Sequence, residues 1–99
     1  MDELAARFLQ AMKTQRRASA HTLEAYGRDL AQFLAFLSGH LGGTPEKADI
    51  AALAPADFRA FLARRRNEGI ESRSLARQLS AIRSWFRWME RNGILKNAG

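Results

Sequence analysis

Apolar side chains recur every three or four residues along most of this 99-residue chain. This spacing is that of an amphipathic α-helix, because every third or fourth side chain of a helix returns to the same face. No stretch alternates apolar and polar residues for long enough to predict a β-strand. The pattern therefore predicts an all-α protein.

The first two helices are predicted by clear start and stop signals. One covers about residues 2–15, with an apolar stripe that includes Leu4 and Phe8. The next begins near Ser19, whose hydroxyl oxygen can accept a hydrogen bond from a free backbone N–H of the first turn. It ends at Gly42, since glycine readily adopts the left-handed conformation that closes many helices.

Two further helices are predicted in the second half of the chain. The third begins at Pro55, a residue favoured at the first helical position, and ends at Gly69. The fourth is predicted to be capped by Ser72 and to stop at Gly93. Short connections join the first helix to the second and the third to the fourth. The longer connection between the second and third helices has room for a short helical turn near Ile50.

These elements predict a compact four-helix bundle made of two helical hairpins, in a single domain that spans residues 1–99. The hairpins could cross orthogonally or lie side by side, and the sequence leaves both arrangements open. The last six residues, ILKNAG, close no predicted element. We therefore expect the chain to continue into another domain after residue 99.

The composition is that of a globular protein, with 46% hydrophobic and 26% charged residues. The chain has no cysteine, which excludes disulfides and thiolate metal sites and fits the reducing cytoplasm. Its apolar runs are far shorter than a membrane span, and its acidic N-terminus lacks the features of a secretory signal. We therefore expect a cytoplasmic protein without a membrane partner.

The positive charge of the chain lies in its second half. Residues 1–58 contain six Lys/Arg and seven Asp/Glu, a net charge of −1. Residues 59–99 contain ten Lys/Arg and three Asp/Glu, a net charge of +7. This asymmetry predicts an anionic partner for the second half.

Arginines form a ridge on the fourth predicted helix. Five of them lie within about 120° of the helical wheel at 3.6 residues per turn. They are Arg73, Arg77, Arg83, Arg87 and Arg91. The ridge contains no acid, although a solvated helix face usually mixes both signs to form i,i+4 pairs. A solvated face and an anion-binding face both remain open, and the missing acids favour anion binding.

The second predicted helix has a comparable polar face opposite its apolar stripe. His21, Ala25 and Arg28 lie on that face, and Arg16 and Arg17 immediately precede the helix. Arginine can contact a phosphate with two parallel hydrogen bonds, so these basic residues are candidates for contact with nucleic acid.

The sequence contains no recognisable catalytic, nucleotide-binding or metal-binding motif. Its carboxylates are scattered, and its two histidines have no cysteine to complete a metal site. We therefore expect no catalytic residue, no metal and no cofactor in this chain.

Two segments resemble signature motifs of the tyrosine recombinases, also called the phage-integrase family. SAHTLEAYGRDLAQF, residues 19–33, resembles the pattern S-x-x-T-x-x-x-Y-x-x-D-L-x-x-F. SLARQLSAIRSWFRW, residues 74–88, resembles the second signature, which begins S-x-x-R-x-L-S-A-L-R. The two motifs appear in the family's order and span most of the chain. Within the family, the chain is most similar to the Xer type.

The resemblance implies a core-binding domain with a SAM-like helical fold, two helices of which lie against the major groove of a recombination half-site. By position these are the second and fourth predicted helices. The resemblance thus implies DNA contacts from His21, Thr22, Ala25, Arg73, Ser74 and Arg77. With the basic residues nearby, the predicted DNA-binding set is Arg16, Arg17, His21, Thr22, Ala25, Arg28, Arg73, Ser74, Arg77 and Arg83.

The same resemblance implies partners and a cellular role. The partners would be duplex DNA, other recombinase protomers on that DNA, and a C-terminal catalytic domain that carries the family's tyrosine nucleophile. The role would be DNA integration, DNA recombination or chromosome partition at cell division, and the sequence leaves the choice open. The family's Asn-Pro pair appears here as Asn97-Ala98, which leaves the path towards the next domain less defined.

An alternative function is a helical, SAM-like protein–protein interaction module. Trp85 and Trp88 would then anchor the partner, because buried tryptophans often dominate the energy of protein interfaces. Such binding would tolerate high salt, whereas DNA binding would not.

Overall fold

Five α-helices form the regular structure of residues 1–97, the residues that this computed structural model describes. Four of them are long and coincide with the four helices predicted from the apolar spacing. The fifth is a short helix within the longer connection. In chain order they are α1 Asp2–Gln15, α2 Ala20–Leu41, α3 Lys47–Ala51, α4 Pro55–Asn67 and α5 Ser72–Arg91. The predicted all-α fold class is confirmed, with one short helix more than the predicted bundle had.

The helix ends follow the capping signals with one exception. The Ser19 hydroxyl oxygen accepts a hydrogen bond from the backbone N–H of Thr22 at 3.1 Å, and Gly42 closes α2 with a φ of +81°. The predicted cap at Ser72 is wrong, because Ser72 is already helical and the extended residue before it is Glu71. Glu71 makes no side-chain cap bond, so the first turn of α5 keeps backbone N–H groups that no capping side chain covers.

The core lies between α1, α2 and α5, whose backbones approach one another closely, and α4 joins it through aromatic side chains. Phe33 of α2 is fully buried, and its ring centre lies 5.2 Å from that of Phe61 and 6.1 Å from that of Phe58. The prediction of two hairpins is therefore only partly right. The helices α4 and α5 meet through side chains rather than through close backbone packing, because the aromatic rings of α4 hold the two helices apart.

Arg17 forms the turn between α1 and α2 with a backbone φ of +52°. For a residue with a side chain, this left-handed conformation costs roughly 1 kcal/mol relative to the right-handed one. The turn leaves Arg16 and Arg17 exposed immediately before the N-terminus of α2.

The tail after α5 is part of the fold, contrary to the expectation that it closes no element. The side-chain amide of Asn97 donates to the carbonyl oxygens of Ile50, Ala51 and Leu53, at 2.8, 3.1 and 3.0 Å. These carbonyls lie at the end of α3 and just beyond it, so Asn97 ties the tail to α3. Ala98 and the predicted continuation after residue 99 lie outside the described residues.

Candidate nucleic-acid interface

A buried carboxylate joins α2 to the second turn of α5. The Arg77 guanidinium donates from Nε to Asp29 Oδ2 at 2.9 Å and from Nη2 to Asp29 Oδ1 at 2.8 Å. The Asp29 side chain is 1% exposed, whereas the Arg77 side chain is 38% exposed. This bidentate ion pair therefore has its anion inside the protein and its cation at the surface.

The ion pair changes what Arg77 can do. The hydrogen bonds to Asp29 raise the pKa of Arg77 above its ordinary value, although burial opposes this shift. We predicted Arg77 as an exposed DNA contact, but the structure uses its Nε and Nη2 on an internal carboxylate. The wheel of α5 could not reveal this, because Asp29 lies 48 residues earlier in the chain. Arg77 holds α5 against α2 and offers its exposed remainder to a ligand.

A second set of polar side chains connects α2, α4 and α5 beside this ion pair. Arg65 of α4 donates to Gln78 of α5 at 3.1 Å and to Gln32 of α2 at 3.0 Å. Gln78, which is 1% exposed, also donates to Gln32. The position of α5 on α2 is therefore fixed by directional hydrogen bonds as well as by apolar packing. Sequence reasoning missed this role of Gln32 and Gln78, although a polar residue beside the apolar stripe of α5 was a usable signal.

Ala25 was predicted to face DNA, and this prediction is wrong. Its side chain is 4% exposed. Ala25 lies one turn before Asp29 on α2, and both are buried, so the buried part of α2 extends beyond the predicted apolar stripe. Ala25 therefore offers no surface to a nucleic acid.

The other predicted residues of α2, of the turn before it and of the first turn of α5 remain at or near the surface. Thr22 and Ser74 are half-buried, and the Ser19 hydroxyl donates to the Thr22 hydroxyl at 3.0 Å. Arg28 pairs with Glu24 at 3.5 Å, and both side chains are more than half exposed, so this pair is weak. The exposed members are Arg16, Arg17, His21, Arg28 and Arg73.

The Asp29–Arg77 pair ties the middle of α2 to the second turn of α5. Arg73 lies about 6 Å before Arg77 along the axis of α5, and Thr22 lies about 10 Å before Asp29 along α2, at 1.5 Å per residue. Neither helix has an acid in its first turn, where free N–H groups and the helix dipole attract anions. We call this set of candidate residues the basic edge. It comprises Arg16, Arg17, His21, Thr22, Arg28, Arg73, Ser74 and the exposed part of Arg77.

Arg83 lies outside the basic edge. With Arg77 placed at 0° on the wheel of α5, Arg83 lies about 120° away. It lines a groove between α4 and α5 together with Phe58 and Phe86. The single ridge of arginines predicted from the sequence is therefore divided between two different surroundings.

The tryptophans that the alternative function needs are buried. Trp85 is fully buried, and its indole N–H donates to the Leu4 carbonyl oxygen of α1 at 3.3 Å. Trp88 is 9% exposed, and its ring centre lies 5.9 Å from that of Phe8. Both side chains hold α1 against α5, so the prediction that they anchor a partner protein is wrong.

Within residues 1–97, no three His, Cys, Asp or Glu side chains form a group that could hold a metal ion. None of the helices in this part of the chain is long and apolar enough to cross a membrane. The chemistry that the basic edge offers is charge neutralisation and hydrogen-bond donation to an anion.

Comparison with known proteins agrees with the predicted resemblance. Residues 5–93 match the family described as phage integrase, N-terminal SAM-like domain. Among curated proteins, the chain is 50% identical over 93 residues to the tyrosine recombinase XerC of Rhizobium meliloti (strain 1021), which covers 94% of this chain and 29% of that protein. The tyrosine recombinase XerC of Mesorhizobium japonicum is 52% identical over 92 residues, covering 93% of this chain and 30% of that protein.

The chain thus spans less than a third of the length of these relatives. No solved structure gives a significant match. The family match includes α2, α5 and the ion pair between them, and it confirms both the predicted family and the SAM-like fold. On this evidence, the chain belongs to the phage integrase N-terminal SAM-like domain family, of the type found in XerC tyrosine recombinases.

Proposed function

We propose that this chain is the DNA-binding part of a site-specific tyrosine recombinase and that it holds duplex DNA with its basic edge. The observation that supports the proposal most is the Asp29–Arg77 ion pair, which ties together α2 and α5, two helices whose first turns carry no acid. The net charge of +6 supports an anionic partner. The relatives' names, tyrosine recombinase XerC, support the same reading.

Phosphate contacts supply most of the affinity in this proposal. The four arginines that are exposed on the basic edge can each neutralise a backbone phosphate and release its counterions. They are Arg16, Arg17, Arg28 and Arg73. These contacts place the protein on the duplex without reading its sequence.

Base readout falls to the side chains at the first turns of the two helices. His21, Thr22 and Ser74 lie there, and helix ends of this kind fit the major groove. The guanidinium of Arg77 is already oriented by Asp29, so it loses less freedom on binding than a mobile arginine would.

The rest of the proposal concerns the full-length protein. A catalytic domain after residue 99 would supply the tyrosine nucleophile that cleaves and rejoins DNA, and other protomers would assemble on the same DNA. This chain would contribute binding and register but no catalytic residue. The cellular role would be chromosome partition at cell division or the integration of mobile DNA.

A salt titration tests the proposal. Fluorescence anisotropy of a labelled recombination half-site duplex should show log K falling with log salt at a slope near −3.6 if about four phosphates are neutralised. Arg73→Ala should weaken binding and reduce the magnitude of that slope by about 0.9, because one phosphate contact is lost.

Arg59→Ala is the matched control, since Arg59 is an exposed arginine on α4 outside the basic edge. It removes the same charge and should leave the slope nearly unchanged. Equal losses for Arg59→Ala and Arg73→Ala, or binding that does not depend on salt, would contradict the proposal.

A further inference from the structure

A half-open groove of about 440 Å³ runs between α4 and α5. It exists because the aromatic side chains of α4 keep the two helix backbones apart. Five apolar side chains form its floor, and charged or polar side chains form its rim. The floor consists of Phe58, Leu62, Leu79, Ile82 and Phe86, and the rim includes Arg83, Arg87, Glu90 and Asn97.

The floor is apolar surface that the fold has not fully covered. The rings of Phe58 and Phe86 meet edge to face at 5.9 Å, and both side chains remain partly exposed, as does Leu79. Leu79, Ile82 and Phe86 follow one another at spacings of three and four residues, the repeat by which one helix packs against another. The fold buries this seam incompletely.

The rim carries positive charge without an internal partner. Arg83 and Arg87 are exposed, lie one helical turn apart, and form no ion pair within residues 1–97. Glu90, the acid of the rim, lies 3.9 Å from Lys96. Arg83 and Arg87 therefore place two positive charges beside the apolar floor of the groove.

We propose that this groove binds an amphipathic α-helix of a partner protein, with apolar side chains at one-turn spacing and carboxylates along one edge. The apolar side chains would cover Leu79 and Phe86, and two carboxylates one turn apart would pair with Arg83 and Arg87. Helices that lie in grooves commonly bind through anchors at such spacings.

Duplex DNA fits this site less well than an acidic helix. Phosphate oxygens could pair with Arg83 and Arg87, but they would leave the floor formed by Leu79 and Phe86 in contact with water. Removing apolar surface from water is favourable, and a nucleic-acid backbone would not cover the apolar floor of the groove.

A second copy of this chain also fits less well. Among the described residues, Leu41 is the one exposed large hydrophobic residue, at 41%, so a second copy has no free apolar stripe to insert. Two copies joined groove to groove would place Arg83 and Arg87 against their own counterparts, and like charges repel. The charge and shape of the groove thus favour a different, acidic partner.

The test uses the 99-residue chain and two synthetic peptides of about 14 residues. Free peptides of this length are only marginally helical in water, so each peptide would become helical on binding. One peptide has a leucine stripe at i, i+3 and i+7 flanked by glutamates, and its twin has lysines in place of the glutamates. Anisotropy of the labelled peptides should show the glutamate peptide binding at least about tenfold more tightly than its twin. Amide chemical shifts should change around Leu62, Leu79 and Phe86.

A matched pair of double variants separates the groove from the basic edge. Arg83→Ala with Arg87→Ala should weaken binding of the glutamate peptide about fivefold or more. Arg28→Ala with Arg73→Ala removes the same charge from the basic edge and should leave peptide binding within about twofold. Arg28 belongs to α2 and Arg73 lies about 15 Å before Arg83 along α5, and exposed charges further apart than about 10 Å are largely screened at 0.1 M salt. Leu79→Glu should also weaken binding of the glutamate peptide. Circular dichroism checks that each variant is folded.

Four results would overturn the inference. The two peptides could bind equally or not at all, or the two double variants could lose peptide affinity equally. The Arg83/Arg87 variant could lose as much duplex affinity as the Arg28/Arg73 variant, which would assign the groove to DNA. The chain could self-associate in a manner that Leu79→Glu abolishes, which would assign the groove to a second copy.

Discussion

The two edges of α5 carry arginines in different surroundings. On the edge that faces α2, Arg77 is fixed by a buried carboxylate, and Arg73 lies in an acid-free first turn beside it. On the edge that faces α4, Arg83 and Arg87 are exposed beside an apolar groove. The first arrangement suits a rigid anion contact, and the second suits a partner that is both apolar and acidic. What an arginine does on this helix depends on the neighbouring helix that packs beside it.

The largest difference between the edges should appear in stability. Arg77→Ala should lower the free energy of unfolding by about 3 kcal/mol, because it leaves the Asp29 carboxylate buried without a counter-charge. Arg83→Ala should change it by less than about 0.5 kcal/mol, since Arg83 is exposed and forms no ion pair within the described residues. Urea unfolding followed by circular dichroism measures both. Equal losses of unfolding free energy in the two variants would mean that Arg77 contributes no more to the fold than Arg83 does.

A smaller effect is expected at the turn before α2, where stability and DNA binding should separate. Arg17→Gly should have a free energy of unfolding higher than that of Arg17→Ala, by up to roughly 1 kcal/mol, since glycine adopts a φ of +52° without strain. In the same variant DNA affinity should fall, because the basic edge loses a cation. Arg17→Ala is the control that loses the cation and keeps the strain. If Arg17→Gly is no more stable than Arg17→Ala, the strain assigned to this turn is absent.

The smallest effect concerns the contact between His40, near the C-terminal end of α2, and Asp57 of α4. Both side chains are partly exposed, unlike the buried carboxylate of the Asp29–Arg77 pair. The Ala54 N–H and the His40 ring, at 2.7 and 2.8 Å, lower the pKa of Asp57 below 3.8. Because the folded pKa is the lower one, the ionised carboxylate stabilises the fold above pH 3.8. This stabilisation is lost as the pH falls through the folded pKa.

Asp57→Asn should therefore flatten the loss of stability between about pH 5 and about pH 2. Urea midpoints measured across that range report the change. The total effect should stay below that of Arg77→Ala, since the Asp57 side chain is 27% exposed and the pair is screened by solvent. If the unmodified chain and the Asp57→Asn variant lose stability identically with pH, the His40–Asp57 pair does not contribute to stability.

The fold was predictable where its causes are local. The bounds of α2 follow from the Ser19 cap and from Gly42, and the apolar spacing marks each long helix. The short α3 was anticipated as a turn near Ile50. The cap of α5 was misplaced by one residue, because serine is a favoured cap residue, whereas the helix in the structure begins after Glu71, which makes no side-chain cap bond.

The candidate site was predictable only in part, because its causes are long-range. Helical wheels found the arginines, but they treated each helix in isolation and placed Ala25 and Arg77 on free surfaces. In the structure Ala25 is buried and Asp29 accepts hydrogen bonds from Arg77. The pattern of one helix cannot reveal that a buried acid pairs with an arginine on another helix.

The most direct test of the central claim is a map of amide chemical shifts on titration with a half-site duplex. The account predicts changes around residues 16–28 and 72–77, which form the basic edge, and small changes around Phe58, Leu62 and Phe86 on the groove side. The opposite distribution, with the largest changes along the groove and none at the first turns of α2 and α5, would contradict it.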